Sequence, residues 1–195
     1  MAKRQVQQEE LNEILTLDNL SLGDLGTYLL FDEIHPESIK EAAEFIIKAN
    51  YVYKPEQVVT ILINSPGGDV YDGFGIIDLI EASKIKVQTT AVGCVASMGA
   101  LIFTSGTKGH RIMSKNSYLM VHQFSQYMEG KRHEFIAHRK HEDHLNEKFI
   151  NHFVNRSKLS RKQVIDTLLK PSDTYIEPKD ALKFGLCDVI ANPWS

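Results

Sequence analysis

The segment Val58–Ile63 constrains the fold of this chain more than any other, because it is uncharged and almost entirely β-branched. A short run of this kind is typical of a strand that is covered on both faces, as in a parallel sheet. Ser65-Pro66-Gly67-Gly68 then interrupts the pattern with turn-forming residues. Apolar residues return at helical spacing at Val70, Phe74, Ile77 and Ile80. The segment therefore predicts a buried strand, a tight loop and a helix.

Strand-like and helix-like segments alternate through the rest of the chain. Further strands are predicted at residues 28–31, 85–92, 111–113, 118–121 and 187–190. Further helices are predicted from Pro36, from Ser97, over 131–153, from the capping box at Ser160 through Leu169, and from Pro178 to Gly185. This alternation predicts an α/β fold. Residues 1–25 are polar and are interpreted as a flexible N-terminal arm, and residues 26–195 as a single domain.

Composition excludes several classes of protein. The 195 residues carry a formal net charge of −3, which argues against a dedicated nucleic-acid binder. No stretch is long and apolar enough for a signal peptide or a membrane span. Cys94 and Cys187 both lie in apolar segments and are predicted to be buried thiols in a reducing compartment. We expect a cytoplasmic protein with no membrane and no nucleic-acid partner.

Ser97 is the candidate nucleophile. It lies between a predicted strand and a predicted helix, and Ala96, Gly99 and Ala100 leave room around it for a substrate. A serine hydroxyl becomes a good nucleophile when such a junction exposes it beside a base and near backbone N–H donors. Backbone N–H groups of Gly67, Gly68 and Met98 are the candidate donors of an oxyanion hole.

His122 and Asp173 complete a candidate triad. His122 follows a predicted strand and would accept the Ser97 proton and later return it to the leaving amine. Asp173 would accept the other imidazole N–H and so fix the tautomer. Each residue alone also has a structural interpretation: an N-cap for the serine, a turn for the glycines, a structural histidine, and a turn or cap for the aspartate. The residues by themselves leave these alternatives open.

Four segments resemble the proteolytic subunit of the Clp protease, the ClpP family. They are Ile63-Asn64-Ser65-Pro66-Gly67-Gly68, Ala96-Ser97-Met98-Gly99-Ala100, Met120-Val121-His122-Gln123, and Asp173-Thr174-Tyr175 followed by residues 181–188. They stand in the family's order and spacing between about residues 27 and 190. The resemblance implies the spiral of ββα units shared with crotonases, with a protruding handle helix at about 124–155.

The resemblance also implies a function and an assembly. It implies an ATP-dependent Clp protease subunit, a serine endopeptidase with the triad Ser97, His122 and Asp173. Two stacked seven-membered rings would enclose a chamber in which unfolded polypeptides are cut. An AAA+ unfoldase would feed the chamber and use the ATP, so this chain itself needs no cofactor and no metal.

The chain departs from the family pattern at three places. Thr60 and Leu62 stand where the family usually carries the aromatic residues of the unfoldase-docking pocket, which makes that pocket atypical. Phe124, Ser125 and Gln126 replace the usual proline and glycine-rich stretch, in a segment implied to line the substrate groove. Pro171-Ser172 replaces a charged pair implied to support the contact between rings.

Other interpretations come from two different classes. A non-proteolytic ring or scaffold subunit would lack part of the triad, whereas all three residues are present here. A crotonase-type acyl-CoA enzyme would share the oxyanion hole without needing the triad. The histidines of the predicted handle, including His141 and His144, are interpreted as a solvated polar surface rather than a metal site. The apolar stripe of that helix is interpreted as a contact buried between rings; it consists of Phe135, Leu145, Phe149 and Phe153.

Overall fold

The structure is a computed structural model that describes residues 20–123 and 132–193, and in the longest helix it describes side chains from Arg139 onward. The strands are β1 (Thr27–Leu30), β2 (Val58–Ile63), β3 (Lys86–Ala91), β4 (Cys94–Ala96), β5 (Arg111–Met113), β6 (Tyr118–Val121), β7 (Thr174–Ile176) and β8 (Val189–Ile190). The helices are α1 (Pro36–Val52), α2 (Val70–Ala82), α3 (Met98–Ser105), α4 (Arg132–Arg156), α5 (Arg161–Gln163) and α6 (Pro178–Phe184). A π-helical turn, Val164–Leu168, continues α5.

A five-stranded parallel sheet with the order β1-β2-β3-β5-β8 forms the centre of the fold. Alternate residues of β2, namely Val59, Ile61 and Ile63, are fully buried in the main hydrophobic core. Thr60 and Leu62 lie on the opposite face, because successive strand residues point to opposite sides. The predicted α/β fold and the buried parallel strand at Val58–Ile63 are confirmed.

A second sheet has three strands in the order β4-β6-β7. β4 runs parallel to β6, with Ala96 opposite Met120. β7 runs antiparallel to β6, with Val121 opposite Thr174. The sheet therefore brings together three chain segments that are distant in sequence.

The burial predicted from the sequence differs from the structure at two places, one in β4 and one in α4. All residues of α3 are buried, and Ser160 forms the predicted capping box with Gln163. The prediction that both cysteines are buried is wrong for Cys94, which is exposed, whereas Cys187 is buried. Cys94 pairs with the exposed Tyr118 on the outward face of the small sheet, so an apolar sequence context did not mean burial.

The second difference concerns the handle helix α4. Its apolar residues Leu145, Phe149 and Phe153 are buried within the chain itself, and Phe149 packs edge-on against Phe74 of α2. The expectation that this stripe needs a second ring to cover it is wrong for these three residues, which the chain itself buries, whereas the side chain of Phe135 lies outside the described residues. The predicted start of the handle at residue 124 lies outside the described residues. Within the described part of the chain, no helix combines the length and apolar character that crossing a membrane requires.

The described part of the N-terminal segment packs against α1. Of the predicted N-terminal arm, only residues 20–25 are described, and they form turns in which Asp24 accepts a 2.7 Å hydrogen bond from Lys48 of α1. The division into an arm and a single domain stays a prediction.

Candidate active site

Ser97 lies at the junction between the end of β4 and the start of α3. Its φ is +52°, and among the described residues it is the one non-glycine residue with a positive φ. Its N–H donates to the Met120 carbonyl oxygen at 2.8 Å. Its side chain makes no capping hydrogen bond to α3. The N-cap interpretation is therefore not supported, and the hydroxyl is held at a strained, half-buried strand-to-helix junction.

The Ser65-Pro66-Gly67-Gly68 loop lies directly against the nucleophile. Gly67 has a φ of +97°, and a Cβ placed on it would come within 2.7 Å of Ser97 Cβ and 2.9 Å of the Ala96 carbonyl oxygen. Gly68 has a φ of +144°, and a Cβ there would come within 2.3 Å of the Ile34 carbonyl oxygen. Only glycine fits either position, so the loop is more than an ordinary turn.

The three N–H groups predicted to form the oxyanion hole differ in whether they already donate a hydrogen bond. The Gly67 N–H donates to Ser65 Oγ at 3.2 Å. The Gly68 and Met98 N–H groups have no acceptor among the described residues, and Met98 is the first residue of α3, where an N–H has no partner within the helix. Of the three predicted oxyanion donors, Gly68 and Met98 are the two with a free N–H.

His122 immediately follows β6 and is half-buried. Its Nδ1 lies 2.5 Å from the Gln123 carbonyl oxygen. A carbonyl oxygen can only accept, so Nδ1 carries a proton in this contact, and in a neutral imidazole Nε2 then keeps its lone pair. That is the tautomer a general base needs.

Asp173 is exposed and immediately precedes β7. Because Val121 lies opposite Thr174, the antiparallel register continued by one residue sets His122 opposite Asp173. Side chains of directly opposed residues lie about 4.5–5.5 Å apart at Cβ. The small sheet therefore brings Ser97, His122 and Asp173 to one edge.

No hydrogen bonds join these three side chains to one another in the described residues. The Gln123 carbonyl occupies His122 Nδ1 instead. The predicted groove residues Phe124, Ser125 and Gln126 lie outside the described residues.

Ser65 is a positioning residue that sequence reasoning did not single out. It is buried, its hydroxyl donates to the Asp32 carbonyl oxygen at 2.7 Å, and its Oγ accepts the Gly67 N–H. The first bond ties the glycine loop to the segment after β1, and the second closes the loop itself. The signal in the sequence was a serine directly before Pro-Gly-Gly, which suits a side chain that closes a turn.

The handle histidines have specific contacts. His141 Nε2 lies 2.5 Å from Tyr71 Oη, and the two rings stack at 6.0 Å between centroids. Among the described residues, no group of three or more His, Cys, Asp or Glu side chains is placed to hold a metal ion.

Comparisons with known proteins agree on one family. A sequence model described as Clp protease matches residues 30–193. The chain is 32% identical over 136 residues to the ATP-dependent Clp protease proteolytic subunit of Deinococcus radiodurans, covering 70% of this chain and 66% of that protein. It is 34% identical over 139 residues to ATP-dependent Clp protease proteolytic subunit 2 of a Synechococcus species, covering 70% and 68%. It is 35% identical over 140 residues to subunit 1 of Prochlorococcus marinus, covering 70% and 69%. The matched region spans about two thirds of the length of these relatives.

Proposed function

This chain belongs to the Clp protease family, and from that premise we propose that it is a serine endopeptidase that cleaves unfolded polypeptides, with Ser97 as its nucleophile. The observation that carries the proposal is the positive φ of Ser97 with Gly67 packed against it. A structural serine has no need of this strain, whereas a nucleophile at a strand-to-helix junction uses it to present its hydroxyl.

The proposed reaction uses only groups of this chain and water. Ser97 Oγ attacks the peptide carbonyl while His122 Nε2 takes its proton, and the N–H groups of Gly68 and Met98 stabilise the oxyanion. The protonated His122 then gives the proton to the leaving amine, which departs and leaves an acyl ester on Ser97. Water, activated by the same imidazole, hydrolyses the ester and restores the hydroxyl.

Asp173 acts on His122 once a substrate is bound. In the reaction, the imidazole exchanges its contact with the Gln123 carbonyl for the Asp173 carboxylate, which is its cross-strand neighbour. Catalytic hydrogen bonds often tighten only in the substrate complex. The carboxylate then stabilises the imidazolium that forms during attack.

The test is cleavage of short fluorogenic peptides by purified variants. Ser97→Ala and His122→Ala are each expected to lower kcat/KM by several orders of magnitude, and their combination to cost little more, since triad members act as a unit. Asp173→Asn is expected to lower turnover sharply, whereas Asp180→Asn in the exposed first turn of α6 serves as the matched control. Circular dichroism checks that each variant is folded.

Three outcomes would contradict the proposal. Substantial peptidase activity in Ser97→Ala would remove the nucleophile assignment. Failure of the unmodified protein to react with a fluorophosphonate at Ser97 and to cleave any peptide would favour a non-proteolytic ring subunit. Turnover of an acyl-CoA thioester in place of peptides would favour the crotonase-type activity.

We further propose that the chain assembles into homo-oligomeric rings fed by an ATP-driven unfoldase, and that a standard Clp unfoldase binds it weakly. Leu62 is only 7% exposed and Thr60 is half-buried, so these two positions offer a partner little apolar area and no aromatic ring. Aromatic side chains often dominate such interfaces. The expected result is cleavage of short peptides by the protein alone and slow ATP-dependent degradation of a tagged folded reporter. Rapid degradation with the unfoldase present would contradict weak docking.

A further inference from the structure

A cavity of about 210 Å³ lies away from the catalytic residues, where the ends of α3 and α4 approach β5 and β8. The charged side chains that line it are Lys108, Arg111, Arg156, Lys158 and Asp188. Lys108 belongs to the turn that follows α3, and Lys158 to the turn that follows α4. Four cationic residues and one acidic residue therefore line the cavity, and of these Lys108 and Lys158 are exposed.

The carboxylate is already neutralised within the wall. Arg111 Nη2 donates to Asp188 Oδ1 at 2.6 Å and Arg111 Nε donates to Oδ2 at 2.9 Å. The Gly109 N–H also donates to Oδ2, at 2.8 Å. Burial raises the pKa of Asp188, but the hydrogen bonds from Arg111 outweigh it and leave that pKa below its ordinary value. Arg111 and Asp188 thus form a paired wall of the cavity.

The remaining cations leave the cavity with an excess of positive charge. Arg156 pairs with Glu81 on the surface. Lys108 and Lys158 make no ion pair and no side-chain hydrogen bond with any residue that the structure describes. Basic side chains are common at helix ends because they complement the carbonyl groups there. Here Arg111 Nη1 already donates to the Arg156 carbonyl oxygen at 2.7 Å, and neither lysine donates to a carbonyl group of the helices that the structure describes.

Neutral donors add to the same surface. Asn155 and Ser157 also line the cavity. Ser157 Oγ accepts the Leu159 N–H, which leaves its own proton available. Sites for organic ligands usually measure about 300–1,000 Å³, so a cavity of about 210 Å³ suits a small ion better than a cofactor.

We propose that this cavity binds a small doubly charged oxyanion, of the size and charge of phosphate, between Lys108 and Lys158. The bound anion joins the turn after α3, the helix that begins at the nucleophile, to the turn after the handle helix α4. Its binding energy adds to the stability of the folded protein, because the unfolded chain has no such site.

The experiment is calorimetric titration of the full-length protein with inorganic phosphate at constant ionic strength, with sulfate and chloride titrated alongside. The expected result is one saturable site per chain for phosphate and sulfate and none for chloride. At a free phosphate concentration ten times Kd, the Tm is expected to rise by about 3–6 °C.

Paired variants separate the site from general charge effects. Lys108→Gln combined with Lys158→Gln is expected to weaken phosphate binding at least tenfold and to abolish the Tm rise. Lys84→Gln combined with Lys86→Gln removes the same charge at exposed positions outside the cavity. This control is expected to leave the phosphate affinity and the Tm rise unchanged. No saturable binding, or equal binding in both double variants, would overturn the proposal. Neither result depends on peptidase activity, so the proposal can fail independently of the proposed function.

Discussion

At the scale of single residues, the candidate active site depends on positive φ angles at Gly67, Gly68 and Ser97. Glycine adopts this conformation readily, whereas the serine is strained in it. A non-glycine residue at positive φ costs about 1–3 kcal/mol and persists only where its surroundings hold it. Here the hydrogen bond from the Ser97 N–H to Met120 and the packing of Gly67 against Ser97 hold it. Ser65 in turn holds the glycine loop. Local strain at Ser97 is thus maintained by the fold of three separate segments.

Gly67→Ala tests this arrangement. Its Cβ would clash with Ser97 Cβ and force the loop away from the nucleophile. We expect kcat/KM for a short peptide to fall at least about 100-fold, since a displacement of about 1 Å in a catalytic group costs that much. Gly109→Ala is the matched control, because Gly109 has a similar φ of +89° but nothing within 4 Å of its would-be Cβ. The control is expected to lose only about 1–2 kcal/mol of stability, and an equal loss of activity in both variants would contradict the clash.

At the scale of secondary-structure elements, the sequence predicted those features that depend only on neighbouring residues. The strand at Val58–Ile63, the helix starts at Pro36 and Pro178 and the capping box at Ser160 all follow from nearby residues. The π-helical turn at Val164–Leu168 did not follow, because the sequence predicted one continuous helix through Leu169. The burial of the α4 apolar stripe also escaped prediction, since it depends on packing against α2 and α3.

In the candidate site, too, the residue types could be predicted from the sequence, whereas their arrangement in space could not. The identities of Ser97, His122 and Asp173 were readable from motifs, but their closeness is a property of the small sheet's register. The contact of His122 with the Gln123 carbonyl was not predictable, because it depends on a backbone conformation after β6.

A buried histidine couples two of these elements. His152 of α4 lies 2.8 Å from Thr104 Oγ1 of α3, and both side chains are buried. Burial, together with the nearby charges of Arg156 and Arg111, lowers the pKa of His152 to about 3. The handle helix is therefore tied to the nucleophile's helix by a neutral imidazole.

Lowering the pH is expected to lower the free energy of unfolding through His152. The unfolded chain binds a proton on His152 below about pH 6.5, whereas the folded chain does so only near pH 3, so stability falls as the pH drops through this window. Between pH 7 and pH 5 the loss amounts to about 2 kcal/mol in the free energy of unfolding. Urea unfolding at each pH measures it. His152→Gln is expected to flatten this dependence, and His144→Gln, an exposed position on the same helix, to leave it unchanged. Equal slopes in all three proteins would contradict the assignment.

At the scale of the whole molecule, the case for assembly comes from a sheet edge rather than from the handle. β1 is an edge strand of the large parallel sheet. Leu29, in this strand, is 39% exposed, and Phe31, directly after it, is 44% exposed. Parallel sheets are usually covered on both faces, and exposed strand edges invite pairing with another chain. An apolar edge of this kind favours a self-associating subunit.

The mass of the particle in solution tests the ring assembly. Fourteen copies of the 22.1 kDa chain weigh about 309 kDa and seven weigh about 155 kDa, the values expected for two stacked rings and for one. We expect light scattering after size-exclusion chromatography to detect the larger particle, and peptidase activity to elute in the same fraction. The family resemblance implies a charged pair that supports the contact between rings, and Pro171-Ser172 stands in its place. Dilution or added salt is therefore expected to convert the particle of about 309 kDa into particles of about 155 kDa before any monomer forms. A stable monomer at micromolar concentration would contradict the assembly, and full activity in that monomer would show that the catalytic residues need no ring to act.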